Sequence, residues 1–150
     1  MLAVAAAYED AFYLFSGVDL HGGADGKPVR TYLRDAWSYA AGTGWKRLLD
    51  LPRAAVAAPS PAPRADGCLL VATGDDGSKA GFQPMHLHPG FGRGMLAFDP
   101  RTEQWREIGD APFSRATVPV AEWHGGFVIP SGEARPGVRS PEVWMLQPAR

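Results

Sequence analysis

Residues 132–139 read Gly-Glu-Ala-Arg-Pro-Gly-Val-Arg. Glu133 and Arg139 stand on either side of Pro136-Gly137, a pair that favours a tight turn. If the segment doubles back there, the two side chains lie next to one another at its base. A carboxylate within hydrogen-bond reach of a hydroxyl can take its proton. A guanidinium fork can hold an anionic carboxylate through two hydrogen bonds. A neighbouring arginine also lowers the pKa of the carboxyl and keeps it ionised at pH 7. The same pair could instead be a plain salt bridge that ties down a loop.

Other chemistry-bearing residues say less. His86 and His88 in "MHLHPG" would share one face if they lay on a strand, but two histidines without a nearby third ligand make a weak metal signal. No metal and no cofactor is expected. Asp19 and Asp25 in "GVDLHGGADGKPVR" lack calcium-loop spacing, and that stretch reads as a long loop. His21 and His124 sit beside Gly-Gly pairs and read as turn residues, and Glu122 and Glu142 as edge and turn charges. The lone cysteine, Cys68, falls in the apolar run "GCLLVATG" and is expected to be a buried thiol. No phosphate-cradling loop or nucleophile elbow is present.

The elements that must hold these residues repeat. Phe12 and Leu69 are 57 positions apart, Leu69 and Phe127 58, and Trp45 and Trp105 60. Within each unit an apolar run ends in a small residue and a glycine: Ser16-Gly17, Thr73-Gly74, Ser131-Gly132. An aromatic follows (Trp37 and Tyr39, Phe98, Trp144), and then, in the first two units, the tryptophan. Each unit reads as strands: an inner one ("LAVAAA", "AAVAAPSPA", "RATVPVAEW"), a second ("FYLFS", "CLLVAT", "GFVIPS"), a third carrying the aromatic and a fourth starting at the tryptophan. "YLRDAWSYA" could pass for a short helix, but the repeat makes it strand.

Composition agrees. The 18 glycines and 14 prolines are spread between short apolar runs, as in an all-β domain with many turns. With 150 residues there is one core to bury. Fifteen basic and 16 acidic residues balance to a net charge of −1, which gives no reason to expect nucleic acid or an anionic membrane as partner. "MLAVAAA" has no basic start and is too short to read as a signal peptide.

Four-stranded units at this period resemble the blades of kelch β-propellers. The expected architecture is all-β: about three blades, near 1–50, 51–110 and 111–150, the last without an outer strand, forming half of a six-bladed ring. Either the missing half or a second copy of the chain would complete it. An isolated chain would expose raw blade faces and a strand edge. In such a ring Glu133 and Arg139 fall on a rim loop. Arg135 is read as solvent-facing or at the channel mouth, and Arg53 and Arg115 as channel-lining or blade-bridging.

The 132–139 segment resembles a loop of the N-acetylneuraminate epimerases, six-bladed kelch-type sialic acid mutarotases. "FYLFSGVD" and "PFSRATVPVAEW" look like the wider galactose-oxidase-like group. The resemblance implies Glu133 as general base and Arg139 as substrate partner, acting on a small sugar acid, with Arg135, Arg53 and Arg115 as further substrate contacts. Copper chemistry of the galactose-oxidase kind is not expected, because its ligands are missing. Members of the resembled family are exported. The alternative reading is a non-catalytic kelch module binding protein or glycan through its rim loops.

Overall fold

The computed structural model describes residues 1–147. Three antiparallel sheets succeed one another along the chain. The first consists of β1 (Val4–Tyr8), β2 (Ala11–Gly22), β3 (Pro28–Ala40) and β4 (Gly44–Arg47), in that spatial order. The second repeats the plan with β5 (Arg64–Ala65), β6 (Cys68–Ala72), β7 (Gly94–Asp99) and β8 (Gln104–Asp110). The third begins with β9 (Ala121–Trp123) and β10 (Gly126–Pro130). A separate ribbon follows, β11 (Glu133–Arg135) with β12 (Val138–Arg139), before β13 (Val143–Leu146) returns to pair with β10. Hairpin-joined four-stranded units in series are blades, and the chain is an all-β, partial β-propeller.

The strand registers carry the sequence repeat. Phe12 faces Tyr39, Leu69 faces Phe98, and Phe127 faces Leu146. Directly opposed residues share one face of a sheet, so these pairs mark the same face in each blade. In the second blade that face packs on the first: Phe98 and Trp105 meet Phe15 at ring-centroid distances of 5.4 and 5.0 Å. Tyr13, Leu51, Leu69 and Val71 complete this core. The Trp105 indole N–H also reaches across to the carbonyl of Leu49 at 3.0 Å. A second cluster, Phe113, Val118, Val120 and Ile129 with Met95 against it, joins the second and third blades. Cys68 is buried in β6.

Two expectations are corrected. The inner strand expected over "AAVAAPSPA" is not a ladder strand, since β5 starts only beyond it, and that expected over "RATVPVAEW" is one only at its end, in β9. Ala57 and Thr117 adopt left-handed φ values of 54°, which breaks a ladder, and Pro59, Pro61, Pro63 and Pro119 have no N–H to donate. These segments make single bridges instead, including a parallel one between Ser60 and Pro119 of neighbouring blades. "GVDLHGGADGKPVR" is not a loop. Its two ends pair, Val18 with Tyr32 through Gly22 with Pro28, as a β2–β3 hairpin that extends beyond the blade after a register shift between Phe15 and Gly17. His21 therefore lies on β2, 3.3 Å from Asp19.

The small-Gly pairs supply the turns that redirect each second strand. Ser16, Thr73 and Ser131 have φ of 58°, 59° and 62°, and the glycines after them 121°, 85° and 98°. Two consecutive left-handed residues explain why the second is glycine. A Cβ at Gly132 would also lie 2.9 Å from the Val118 side chain.

Candidate functional site

The blades meet along a line set by three equivalent left-handed residues, Leu2, Ala57 and Thr117. The Ala57 N–H donates to the Leu2 carbonyl at 2.8 Å, and the Thr117 N–H to the Ala57 carbonyl at 2.7 Å. Beside this line stands the residue that follows each turn glycine: Val18, Asp75 and Glu133. Each is tied to its own blade's inner segment. Val18 N–H donates to Met1 O, Asp75 exchanges backbone bonds with Val56, and Glu133 exchanges them with Ala116. The repeat thus delivers an apolar residue and two carboxylates to one place.

All three line a pocket of about 330 Å3. The β2–β3 hairpin forms one wall with Val18, Leu20, Arg30 and Tyr32, which pair as Val18–Tyr32 and Leu20–Arg30 and so share a face. Phe91 and Pro136 contribute apolar surface elsewhere. The Tyr32 hydroxyl donates to Asp75 Oδ2 at 3.1 Å, and the Gly77 N–H donates to Asp75 Oδ1 at 2.9 Å. Burial, and next the adjoining Asp75 charge, push the Tyr32 phenol above its usual pKa, against a smaller opposing effect of Arg30. Tyr32 therefore keeps its proton at neutral pH and serves as a donor.

Glu133 and Arg139 are cross-strand partners at the base of the β11–β12 ribbon, brought there by the Pro136-Gly137 turn. They form no ion pair among the described residues. Glu133 faces the pocket, and its Oε1 accepts a 3.3 Å bond from the Gly137 N–H, which closes the ribbon's turn. Arg139 is exposed at the edge, with Nη1 3.5 Å from the carbonyl oxygen of Thr117, a pocket residue. Arg135 points the other way. Its Nη1 donates to the His86 carbonyl at 2.9 Å and braces the ribbon against the long loop of the second blade. Gly90 of that loop packs so close that a Cβ there would come within 3.0 Å of the Ala134 carbonyl.

Arg53 and Arg115 serve the blades instead of the pocket. Arg115 is 3% exposed and donates to the carbonyls of Ser131 and Ser114, to Ser140 Oγ and to the Glu142 carboxylate. Arg53 donates to the carbonyls of Ala54, Thr73 and Gly94. Both fasten the turn that ends a second strand, which is structural work. Arg53 borders a smaller pocket of about 220 Å3 with Asp76, Glu107 and Asp110. His86 and His88 lie in and beside a 3-10 turn, not on a strand. His88 is buried, its Nδ1 accepting from the Gly90 N–H at 3.1 Å and its ring against Phe82 and Phe91. Among the described residues no group of three or more His, Cys, Asp or Glu is arranged to hold a metal ion.

Asp75, Tyr32 and Arg30 were not singled out from the sequence. A signal for the first was present: Gly74-Asp75 stands in the second unit where Gly132-Glu133 stands in the third. Nothing local marks Tyr32 or Arg30, because they meet the pocket only through the hairpin.

A trace of about three propeller blades with two carboxylates beside the axis places the chain among the β-propellers. It is similar along 97% of its length to a solved structure titled "Structure of YjhT", with a TM-score of 0.73 and 22% sequence identity. It spans 48% of that structure's chain. A 55-residue segment is 33% identical to the N-acetylneuraminate epimerase of Yersinia enterocolitica serotype O:8 / biotype 1B (strain NCTC 13174 / 8081), covering 36% of this chain and 14% of that protein. No protein-family model matches the chain.

Proposed function

We propose that the chain is part of a carbohydrate-active, kelch-type propeller that interconverts the anomers of a sugar acid, in the manner of an N-acetylneuraminate epimerase. The observation that carries this reading is Glu133 on the wall of the axial pocket, in the segment that resembles that family's loop. Mutarotation of a cyclic hemiketal breaks the ring C–O bond and remakes it on the other face of the carbonyl. Glu133 takes the proton of the anomeric hydroxyl as the ring oxygen leaves. Water at the open edge, where Arg30 and Gly137 are exposed, protonates the ring oxygen. Closure runs the same proton transfers backwards, so no proton is gained or lost. Arg139, beside Thr117, stands where it can meet a ligand entering from the rim.

The rate of anomer equilibration of N-acetylneuraminate, followed by NMR exchange, tests this. The chain should accelerate equilibration, and Glu133→Gln should lower the catalysed rate roughly 100-fold, within the range removed with a general base. A Glu133→Gln chain with unchanged rate would sink the assignment. A second reading, a non-catalytic module binding through its rim, is favoured by exposed apolar side chains on the long loop of the second blade, Leu87 at 62% and Met85 at 43%. It requires no loss of binding in Glu133→Gln and a loss in Leu87→Ser.

A further inference from the structure

Resting on the reading of Glu133 as the base, we propose that Arg30, Tyr32 and Asp75 form the ligand-orienting arm of the axial pocket, and that Arg30 binds the carboxylate of the sugar acid. Arg30 and Tyr32 lie two residues apart on β3 and so project from the same side of the hairpin into the pocket. Among the described residues, the Arg30 guanidinium has no carboxylate within ion-pair distance and its one polar neighbour is the Tyr32 hydroxyl, whereas Arg53 and Arg115 are held by backbone carbonyls. Its fork is open to a planar, bidentate anion.

Tyr32 is a built feature and not a loose rim residue. A Cβ on Gly77 would sit 2.7 Å from the Tyr32 ring, so the ring lies directly on the Gly77 backbone. The same Gly77 N–H fixes Asp75. Glycine at 77 therefore sets the ring and the carboxylate together. Asp75 accepts from Tyr32 and Gly77, which leaves lone pairs for the hydroxyls of a sugar. Phe91 and Pro136 offer surfaces for its C–H faces. An anion at Arg30 and hydroxyls at Asp75 describe an acidic, polyhydroxylated ligand. Arg139 then acts at the entrance.

The test uses the full chain and two probes, N-acetylneuraminate and its methyl ester, with affinities from calorimetry. The wild-type chain should favour the acid over the ester about tenfold, the scale of a charge-assisted hydrogen-bonded pair. Arg30→Gln should erase that preference by weakening the acid more than the ester, while Arg139→Gln should keep most of it. Asp75→Asn should weaken both probes alike. Equal binding of acid and ester by the wild-type chain, binding of neither, or a preference that survives Arg30→Gln overturns the proposal. Glu133→Gln separates this from the base assignment. It should keep the preference and lose anomer exchange. If exchange persists there while Arg30→Gln still erases the preference, the base is wrong and the arm stands.

Discussion

Arg115 shows how little the identity of a charged residue says about its task. Its guanidinium is enclosed and fully engaged, and the Ser131 carbonyl it satisfies belongs to the turn that presents Glu133. Arg115→Met should lower the stability of the chain by about 1–3 kcal/mol in urea unfolding, because the Ser131 and Ser114 carbonyls lose their donor. The partner adds a pH dependence. The Arg115 hydrogen bond, and next that of Ser140, holds the Glu142 carboxyl below the usual carboxylate range. A carboxyl with a depressed folded-state pKa stabilises above its unfolded value of about 4.3, and that contribution disappears as pH falls through the folded value. The stability gap between the wild-type chain and Glu142→Gln should thus be present at pH 7, persist in mildly acidic solution, and close only as pH falls below about 4.3 through the folded value. Salt should shrink it at neutral pH, since Glu142 is exposed.

Among the elements, the turn after each second strand decides where a functional side chain goes. Gly132 has no room for a Cβ beside Val118, and its φ of 98° suits no other residue well. Gly132→Ala should therefore lower the melting temperature and pull Glu133 off the pocket, with a strain of about 1–3 kcal/mol. Gly22→Ala, with open space at its Cβ and no left-handed φ, should leave the melting temperature unchanged. Equal effects of the two substitutions in a thermal scan would refute this account. The β11–β12 ribbon was legible in the sequence because its cause is local: Pro136-Gly137 turns the chain and sets Glu133 opposite Arg139. The β2–β3 hairpin was not. Its glycines and aspartates read as a loop, and only the paired register from Val18–Tyr32 to Gly22–Pro28 makes it strand.

At the scale of the whole molecule, the outer faces of both end blades stand bare, that of the third through Trp123, Val143 and Met145. The face of the second blade that holds Phe98 and Trp105 is covered by Tyr13 and Phe15 of the first. The equivalent face of the first blade, Phe12, Tyr39 and Trp45, is 40%, 42% and 56% exposed, although its rings pack on one another. Three contiguous aromatics in water favour association. Light scattering of the purified chain should report a mass above 16.1 kDa, and Trp45→Lys should return it toward the monomer. A monomer in both cases would show that this face needs no cover.

The order and type of the blades could be read from the chain, since each rests on short-range rules: glycine where two left-handed residues occur in a row, aromatics at a fixed interval, a turn at Pro136-Gly137. The pocket could not. Tyr32 and Asp75 are 43 positions apart and belong to different blades, and they meet because neighbouring sheets pack through Phe15, Phe98 and Trp105. The direction of an arginine is decided the same way. Arg53, Arg115, Arg135 and Arg30 look alike in the sequence. Which of them is held by backbone carbonyls and which lines the pocket depends on packing between blades, which no local pattern records.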